Sequence, residues 1–453
     1  MFSCKNNMWY ENRSMLNKKV KSIILAAGRG TRMKSEMPKV LHTIFNKPLL
    51  AYVIDAVNAT DSVDENFVIV GHEADKVENF VKSNYSNAKC VLQSPQLGTG
   101  DAVNKAAPFL KGFDGYVIVV CGDTPLITPE TINDFIEFHN NNHADLTVMS
   151  AIFDNPKNYG RIIRDRSKKF VAIVEEKDAT YEQKAVKEVN AGIYCINWKT
   201  VSPAFDCLKN NNAQGEYYLT DIVKWSVEQN LTVQSYILEN NDEIFGINSK
   251  LHLAQAAKIL NKKSLLRLME AGVQITDIDS TFISPETTIG SDTLILPNVY
   301  ITGKNTIGKN CKIGPFAHIR DGAEIGNNVR IGNFVEIKKS VIKDNTNVSH
   351  LSYIGDSELG SRVNIGAGTI TANYNPITKV KSKTIIKDGA NTGSNSVLVA
   401  PVTIDEMASI GAGSIITKDV EAYSLAITRA PMKCIKNWVK NKIEQFSGKT
   451  GEK

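Results

Sequence analysis

Nine residues, Leu25-Ala26-Ala27-Gly28-Arg29-Gly30-Thr31-Arg32-Met33, combine two glycines with two arginines, and Pro38-Lys39 follows shortly after. A glycine-rich turn directly behind an apolar strand-like run handles phosphate. Its bare backbone N–H groups can face an anion, and the next helix N-terminus adds its dipole. Two competing motifs fall away. The dinucleotide fingerprint needs a glycine where Met33 stands, and the string G-x-x-x-x-G-K-[ST] is absent. What remains is a loop whose Arg32 and Lys39 suit a triphosphate. A purely structural glycine turn is the competing reading, and the length of the string weighs against it.

A second concentration of chemistry lies far downstream. Gly332-Asn333-Phe334-Val335-Glu336-Ile337-Lys338-Lys339-Ser340 is followed by His350-Leu351-Ser352-Tyr353-Ile354-Gly355-Asp356, then by Asn364-Ile365-Gly366-Ala367-Gly368-Thr369 and Asn373-Tyr374-Asn375. Cations, a single histidine, amides and tyrosines gather there. An isolated histidine is more often a surface or satisfied residue than a base. Where a reaction must take up a proton near neutral pH, however, it is the natural acceptor.

The elements that must position these groups differ in kind. Residues 20–248 read as an α/β domain, with strand-like runs at 21–26, 67–70, 117–120, 146–152 and 192–196 and helical patterns at 48–59 and 130–139. Ser249 is expected to cap an amphipathic connector helix over 251–271 that stops at Gly272, making 249–272 a linker. Beyond it every sixth residue from Ile283 to Ile337 is isoleucine, ten in succession. Neither a helix nor an alternating strand has that period; a parallel β-helix does, three hexads making one triangular coil. Each isoleucine should point inward and stack on its equivalent one coil later, about 4.8 Å away. Gly290, Gly308, Gly314, Gly326 and Gly332 follow isoleucines, where a tight corner leaves little room for a Cβ.

The phase then slips. It restarts one residue early as Ile342, Val348 and Ile354, and again as Leu359, Ile365 and Thr371. It breaks over 372–385 and resumes as Ile386, Thr392, Leu398, Ile404, Ile410 and Ile416. A break inside a regular solenoid implies a loop thrown off a corner, and such loops carry function. The β-helix domain is placed at 273–432 and a basic tail at 433–453.

Composition sets the remaining bounds. A chain of 453 residues is too long for one core. The net charge of +5 comes partly from the Lys-rich tail and reads as a solvated end rather than a nucleic-acid patch. Seven scattered cysteines without a C-x-x-C pair argue for a reducing, cytoplasmic setting and against disulfides or zinc. No apolar run is long enough for stable membrane insertion. Residues 1–19 lack a signal-peptide core and read as a disordered extension, with Met15 as an alternative start.

The first motif resembles the hallmark of the sugar-1-phosphate nucleotidyltransferases, L-A-A-G-x-G-T-R-M-x4-P-K. Gln93, Gln96-Leu97-Gly98-Thr99-Gly100, Gly122-Asp123-Thr124-Pro125-Leu126, Tyr159-Gly160-Arg161, Val174-Glu175-Glu176-Lys177, Asn190-Ala191-Gly192 and Asn211-Asn212-Ala213-Gln214-Gly215-Glu216-Tyr217-Tyr218 fall in family order. Coupled to hexapeptide repeats, they resemble the bacterial bifunctional family that joins an N-acetylglucosamine-1-phosphate uridyltransferase to a glucosamine-1-phosphate acetyltransferase, over roughly residues 20–432.

The resemblance implies a Rossmann-like α/β domain followed by a left-handed parallel β-helix, assembled as a homotrimer whose acetyltransfer sites draw on neighbouring chains. It implies that Leu25, Ala26, Ala27, Gly28, Arg32 and Lys39 hold UTP, that Gln93, Gly98 and Thr99 read its uracil, and that Asp123 and Asn248 bind Mg²⁺. Gly160, Glu175 and Asn190 would hold the N-acetylglucosamine moiety. His350 would be the base for the substrate ammonium. Arg320, Lys338, Tyr353 and Asn364 would bind glucosamine-1-phosphate, and Ala367, Asn373, Tyr374, Ser394, Ala412 and Arg429 would lie around acetyl-CoA and the sugar. Taken alone, Asp123 could equally cap a turn, and Asn248 could cap the helix beside Ser249.

The chain departs from the family pattern at a few positions. Cys121 stands where tyrosine is common, Asp101 where histidine often follows Gly-Thr-Gly, and His318 and Asp321 flank Arg320 in place of arginine and proline. The runner-up reading is a monofunctional nucleotidyltransferase with a structural β-helix, which would need neither His350 nor the Lys338-Lys339 pair. A metal-dependent solenoid enzyme would want about three histidine ligands, and the repeat holds only His318 and His350.

Overall fold

The computed structural model describes residues 18–60 and 62–447, which divide into two compact units between Leu260 and Asn261. The expected N-terminal extension lies outside the described residues up to position 17, as does the end of the basic tail from position 448.

The first unit is built on a mixed sheet: β1 Val20–Leu25, β2 Val63–Val70, β3 Ala88–Leu92, β4 Tyr116–Cys121, β5 Leu146–Ile152, β6 Glu188–Asn197 and β7 Val233–Ile237. Their order across the sheet is β7-β5-β6-β4-β1-β2-β3, with β6 antiparallel to both neighbours. Val117 to Val120 are fully buried because helices cover both faces, as a doubly wound sheet requires. One face packs Ile24, Val68, Val120 and Phe135; the other packs Ile23, Phe67, Val119 and Trp198. The predicted helices occur at Leu49–Asn58 and Pro129–Asn141. In the second, Thr128 Oγ1 accepts from Thr131 N and Pro129 fills the first turn, where its missing N–H costs nothing. Leu25 lies in register with Cys121, so the loops leaving β1 and β4 emerge side by side, and Gly122 N donates to Leu25 O at 2.9 Å. Parallel α/β sheets place their ligand crevice at such carboxyl ends.

The helix Lys250–Glu270 crosses the division. Ser249 Oγ accepts from His252 N at 3.2 Å, which makes Ser249 the cap, and Gly272 ends the helix at φ +90. Its apolar residues do not form one clean stripe: Leu265 and Leu268 join the solenoid core, whereas Leu251, Leu266 and Met269 are exposed.

In the second unit three parallel sheets form the sides of a β-helix. Ile283 pairs with Ile301 and Ile301 with Ile319, eighteen residues apart; Ile289, Ile295 and their successors do the same on the other two sides. All ten isoleucines are buried. A Cβ built on Gly332 would stand 1.8 Å from the Ser349 carbonyl oxygen of the next coil, so only glycine fits that corner. The phase slips are short coils: Ile331 pairs with Val348, and Val348 with Ile365, seventeen residues on. The break is a long one, Ile365 pairing with Thr392 across twenty-seven residues, with the extra chain leaving one corner. The threonines that replace isoleucine in the stack remain satisfied: Thr371 Oγ1 accepts from Gly355 N at 2.9 Å, and Thr392 Oγ1 lies 2.9 Å from Thr369 Oγ1.

Candidate functional site

In the first unit the glycine loop is tied down by its neighbours. Ala26 N donates to Ile69 O, Gln96 Nε2 donates to Ala27 O at 3.2 Å, and Arg29 Nε donates to Gln96 Oε1 at 3.3 Å. Gly30 sits at φ +58 with the Lys39 side chain packed where its Cβ would be. Gly28 has open space where a Cβ would be, which leaves its backbone accessible. Arg32 is exposed and forms no ion pair among the described residues. Lys39 turns inward: its ammonium pairs with the Asp123 carboxylate and reaches Asn248 Oδ1 at 3.4 Å. Asp123 and Asn248, far apart in sequence, thus meet around one cation. Asn248 leaves the capping of the helix to Ser249.

Gly160, Glu175 and Asn190 are also brought together. Both Glu175 carboxylate oxygens would lie 3.5 Å from a Cβ on Gly160, and Asn190 N donates to Gly160 O at 2.9 Å. Burial raises the Glu175 pKa, partly offset by a hydrogen bond from Thr220 Oγ1. Asn190 Nδ2 donates to the Tyr194 hydroxyl, and its Oδ1 accepts from Gly192 N. Arg161 is buried and pairs with Glu176 at 2.6 Å, bracing this corner. Gln93 and Gly98 share a hydrogen bond of 2.9 Å, and Thr99 Oγ1 accepts from Leu219 N. The half-buried Cys121 thiol is pushed up by burial to about 12, which leaves it protonated and unreactive near neutral pH.

In the solenoid the candidate residues separate into two groups along one side. Asn333 pairs with His350 on consecutive coils, and the same corner position recurs as Ala367, Ser394 and Ala412, so all five form one column. The Arg429 guanidinium donates to Ala412 O at the top of it. At the far end of the adjoining strands lie Arg320, Lys338 and Asp356. Arg320 pairs with Glu336 at 2.9 Å. The Lys338 pKa is lowered, first by the neighbouring Lys381 ammonium and then by burial and by Arg320, with Asp356 opposing. Asn373 donates to Asp356, and its Nδ2 lies 3.5 Å from the Tyr353 hydroxyl. Tyr353 thus begins at the His350 corner and reaches toward the cations. Asn364 sits in an asparagine ladder between Asn347 and Asn391, and Tyr374 is exposed on the extruded loop.

Sequence reasoning missed Lys381. It returns to the site because the extruded loop folds back through a Tyr374–Lys381 bridge. The alternation Lys379, Lys381, Lys383 inside the break was the signal available. The pairing of Asn333 with His350 is likewise invisible in the sequence, because it depends on the seventeen-residue coil that aligns them.

A doubly wound α/β unit with a phosphate-type loop, followed by a hexapeptide β-helix carrying its own polar site, defines a nucleotidyltransferase joined to a hexapeptide-repeat transferase. A family model described as Nucleotidyl transferase matches residues 21–246, and one described as Bacterial transferase hexapeptide (six repeats) matches residues 306–339. Proteins named Bifunctional protein GlmU align along nearly the whole chain. That of Acetivibrio thermocellus is 42% identical over 92% of this chain and 96% of its own, and that of Clostridioides difficile 41% over 94% and 98%. That of Fervidobacterium nodosum is 43% identical over 94% and 98%. The chain belongs to the GlmU family, and it is a uridyltransferase and an acetyltransferase in one polypeptide.

Proposed function

We propose that the first unit transfers uridylyl from UTP to N-acetylglucosamine-1-phosphate, with Gly28, Arg32 and Lys39 holding the triphosphate and Gly160, Glu175 and Asn190 the N-acetylated sugar. The observation that carries this is the convergence of Lys39, Asp123 and Asn248. A carboxylate and an amide oxygen that already meet a cation suit Mg²⁺, which binds through one or two protein oxygens plus substrate phosphates. Among the described residues no group of three His, Cys, Asp or Glu side chains forms an all-protein metal cage. Bound there, Mg²⁺ would neutralise phosphate charge. The chain's own part is to hold the sugar phosphate in line with the α-phosphorus while Arg32 and Lys39 offset the gathering of anions.

In the second unit His350 takes a proton from the ammonium of glucosamine-1-phosphate. The freed nitrogen attacks the acetyl-CoA carbonyl carbon, and as the C–S bond breaks the second proton lost from that nitrogen goes to the departing CoA sulfur. Arg320, Lys338 and Lys381 form the phosphate end, and the column Ala367, Ser394 and Ala412, with Arg429, forms the acetyl-CoA side. Beside His350 runs an exposed apolar ridge of Phe316, Phe334 and Leu351, the two rings stacked 5.3 Å apart. A homotrimer covers that ridge and completes the site with a neighbouring chain. Six described cysteines are free thiols, in keeping with a cytoplasmic protein, and no described helix is long and apolar enough to cross a membrane. Assaying both half-reactions on purified protein tests the whole reading; loss of acetyltransfer alone would leave the monofunctional alternative.

A further inference from the structure

We infer that Asp101 is a positioning residue that sets the nucleobase preference of the uridyltransferase by fixing which atom of Gln93 faces the base. The inference rests on the reading above that Gln93 and Gly98 meet the base.

The Gln93 carboxamide lies between the Gly98 carbonyl oxygen at 2.9 Å and the Asp101 carboxylate at 2.8 Å. Both neighbours can only accept hydrogen bonds, so the amide nitrogen must face them and both of its N–H groups are consumed. Asp101 is itself held on its other oxygen by Lys105 at 3.2 Å. Gly98 cannot swing away to release the pair. It sits at φ +119 against the Tyr217 backbone, and the flanking Leu97 and Gly100 are hydrogen-bonded to Tyr217.

What Gln93 can then offer a ligand is Oε1, an acceptor, which makes no hydrogen bond among the described residues although the side chain is buried. The Gly98 N–H beside it likewise donates to nothing among the described residues, and so supplies a donor. An acceptor beside a donor matches the imide edge of uracil, whose N3–H donates and whose O4 accepts. Cytosine presents the reverse pair, an accepting N3 and a donating N4 amine, and meets acceptor with acceptor and donor with donor. A site with its polarity locked rejects the inverted base far more strongly than one whose amide can flip. Histidine at position 101 could lock the amide less firmly, because a neutral ring nitrogen either donates or accepts. A carboxylate removes that choice.

The test compares kcat/KM for UTP and CTP in the full-length protein, with acetyltransfer as the control for folding. Asp101→Asn can offer its own N–H to Gln93 Oε1, so that only the Gly98 carbonyl still holds the amide in its parent orientation. The UTP-to-CTP ratio should fall by about tenfold or more, with acetyltransfer unchanged. Asp101→Ala, which frees one N–H without offering a donor, should lower the ratio less. If both variants keep the parent ratio while Gln93→Ala loses it, Gln93 reads the base without help from Asp101 and the inference is overturned. If Gln93→Ala keeps the ratio as well, the reading of Gln93 falls with it.

Discussion

Asn333 and His350 occupy the same corner on consecutive coils, and the Asn333 carboxamide oxygen stands 2.9 Å from His350 Nδ1. With an acceptor there, the ring would carry its proton on Nδ1 and leave the Nε2 lone pair free, the arrangement that the proposed base requires. The one-residue shortening of that coil is what brings the two side chains to the same corner.

Replacing His350 with alanine should lower acetyltransfer by roughly 10²–10⁴-fold while sparing uridyltransfer, the range expected for a lost positioned base. Asn333→Leu should cost less, about tenfold, because the ring survives but its tautomer is no longer held. Steady-state kinetics of both half-reactions check this. Near-parent acetyltransfer in His350→Ala would make the histidine a bystander.

Asp123→Ala should abolish uridyltransfer and leave acetyltransfer nearly untouched, because Asp123 belongs to the first unit alone. A chelator should show the same selectivity. Loss of both activities in either experiment would contradict two independent sites.

Acid should weaken the first unit through His139. This ring is fully buried, 2.7 Å from Thr147 Oγ1 and edge-on to Tyr116, and burial lowers its pKa from 6.5 to about 4. The unfolded chain therefore binds a proton that the folded one refuses. The contribution of neutral His139 is complete above about pH 6.5 and is lost as pH falls toward 4. Denaturation midpoints measured across that window should decline with a slope that shrinks in His139→Phe. An unchanged slope would place the acid sensitivity elsewhere.

The apolar ridge predicts the assembly. Phe316→Glu with Phe334→Glu should convert a trimer to monomers by light scattering and remove acetyltransfer, leaving uridyltransfer in place. A parent protein that is monomeric yet fully active in acetyltransfer would refute the shared site.

The solenoid was legible because one side-chain type repeats on one inward face, so the period, the corners and even the long coil could be read from Ile283 to Ile416. The edge strands Ala88–Leu92 and Val233–Ile237 were not, since neither has a continuous apolar run when one side of it meets solvent. Lys39, Asp123 and Asn248 could be nominated by resemblance, but that the Lys39 ammonium joins the other two depends on how β1, β4 and the entry to the helix at Lys250 come together. Lys381 lay hidden because a loop of irregular length returns it to Lys338, and no periodicity marks that return.

The two ends of the coil stack are chemically unlike. At the start, Asn261 Nδ2 donates to Thr281 O and Asn261 Oδ1 accepts from Ile283 N, while Leu265 and Leu268 roof the first layer of isoleucines. At the finish, the two-residue strand Leu425–Ala426 lies over Ser409–Ile410 and Val420 bridges Ile404, and beyond Ala426 the described side chains are exposed. A stack of parallel strands is a template for more of the same. The N-terminal face is sealed against further growth, whereas the C-terminal face is held back by a thin strip of backbone. Truncation before Leu425 should therefore let two C-terminal faces pair and stop there, giving dimers rather than fibres, because each sealed N-terminal face offers no second edge.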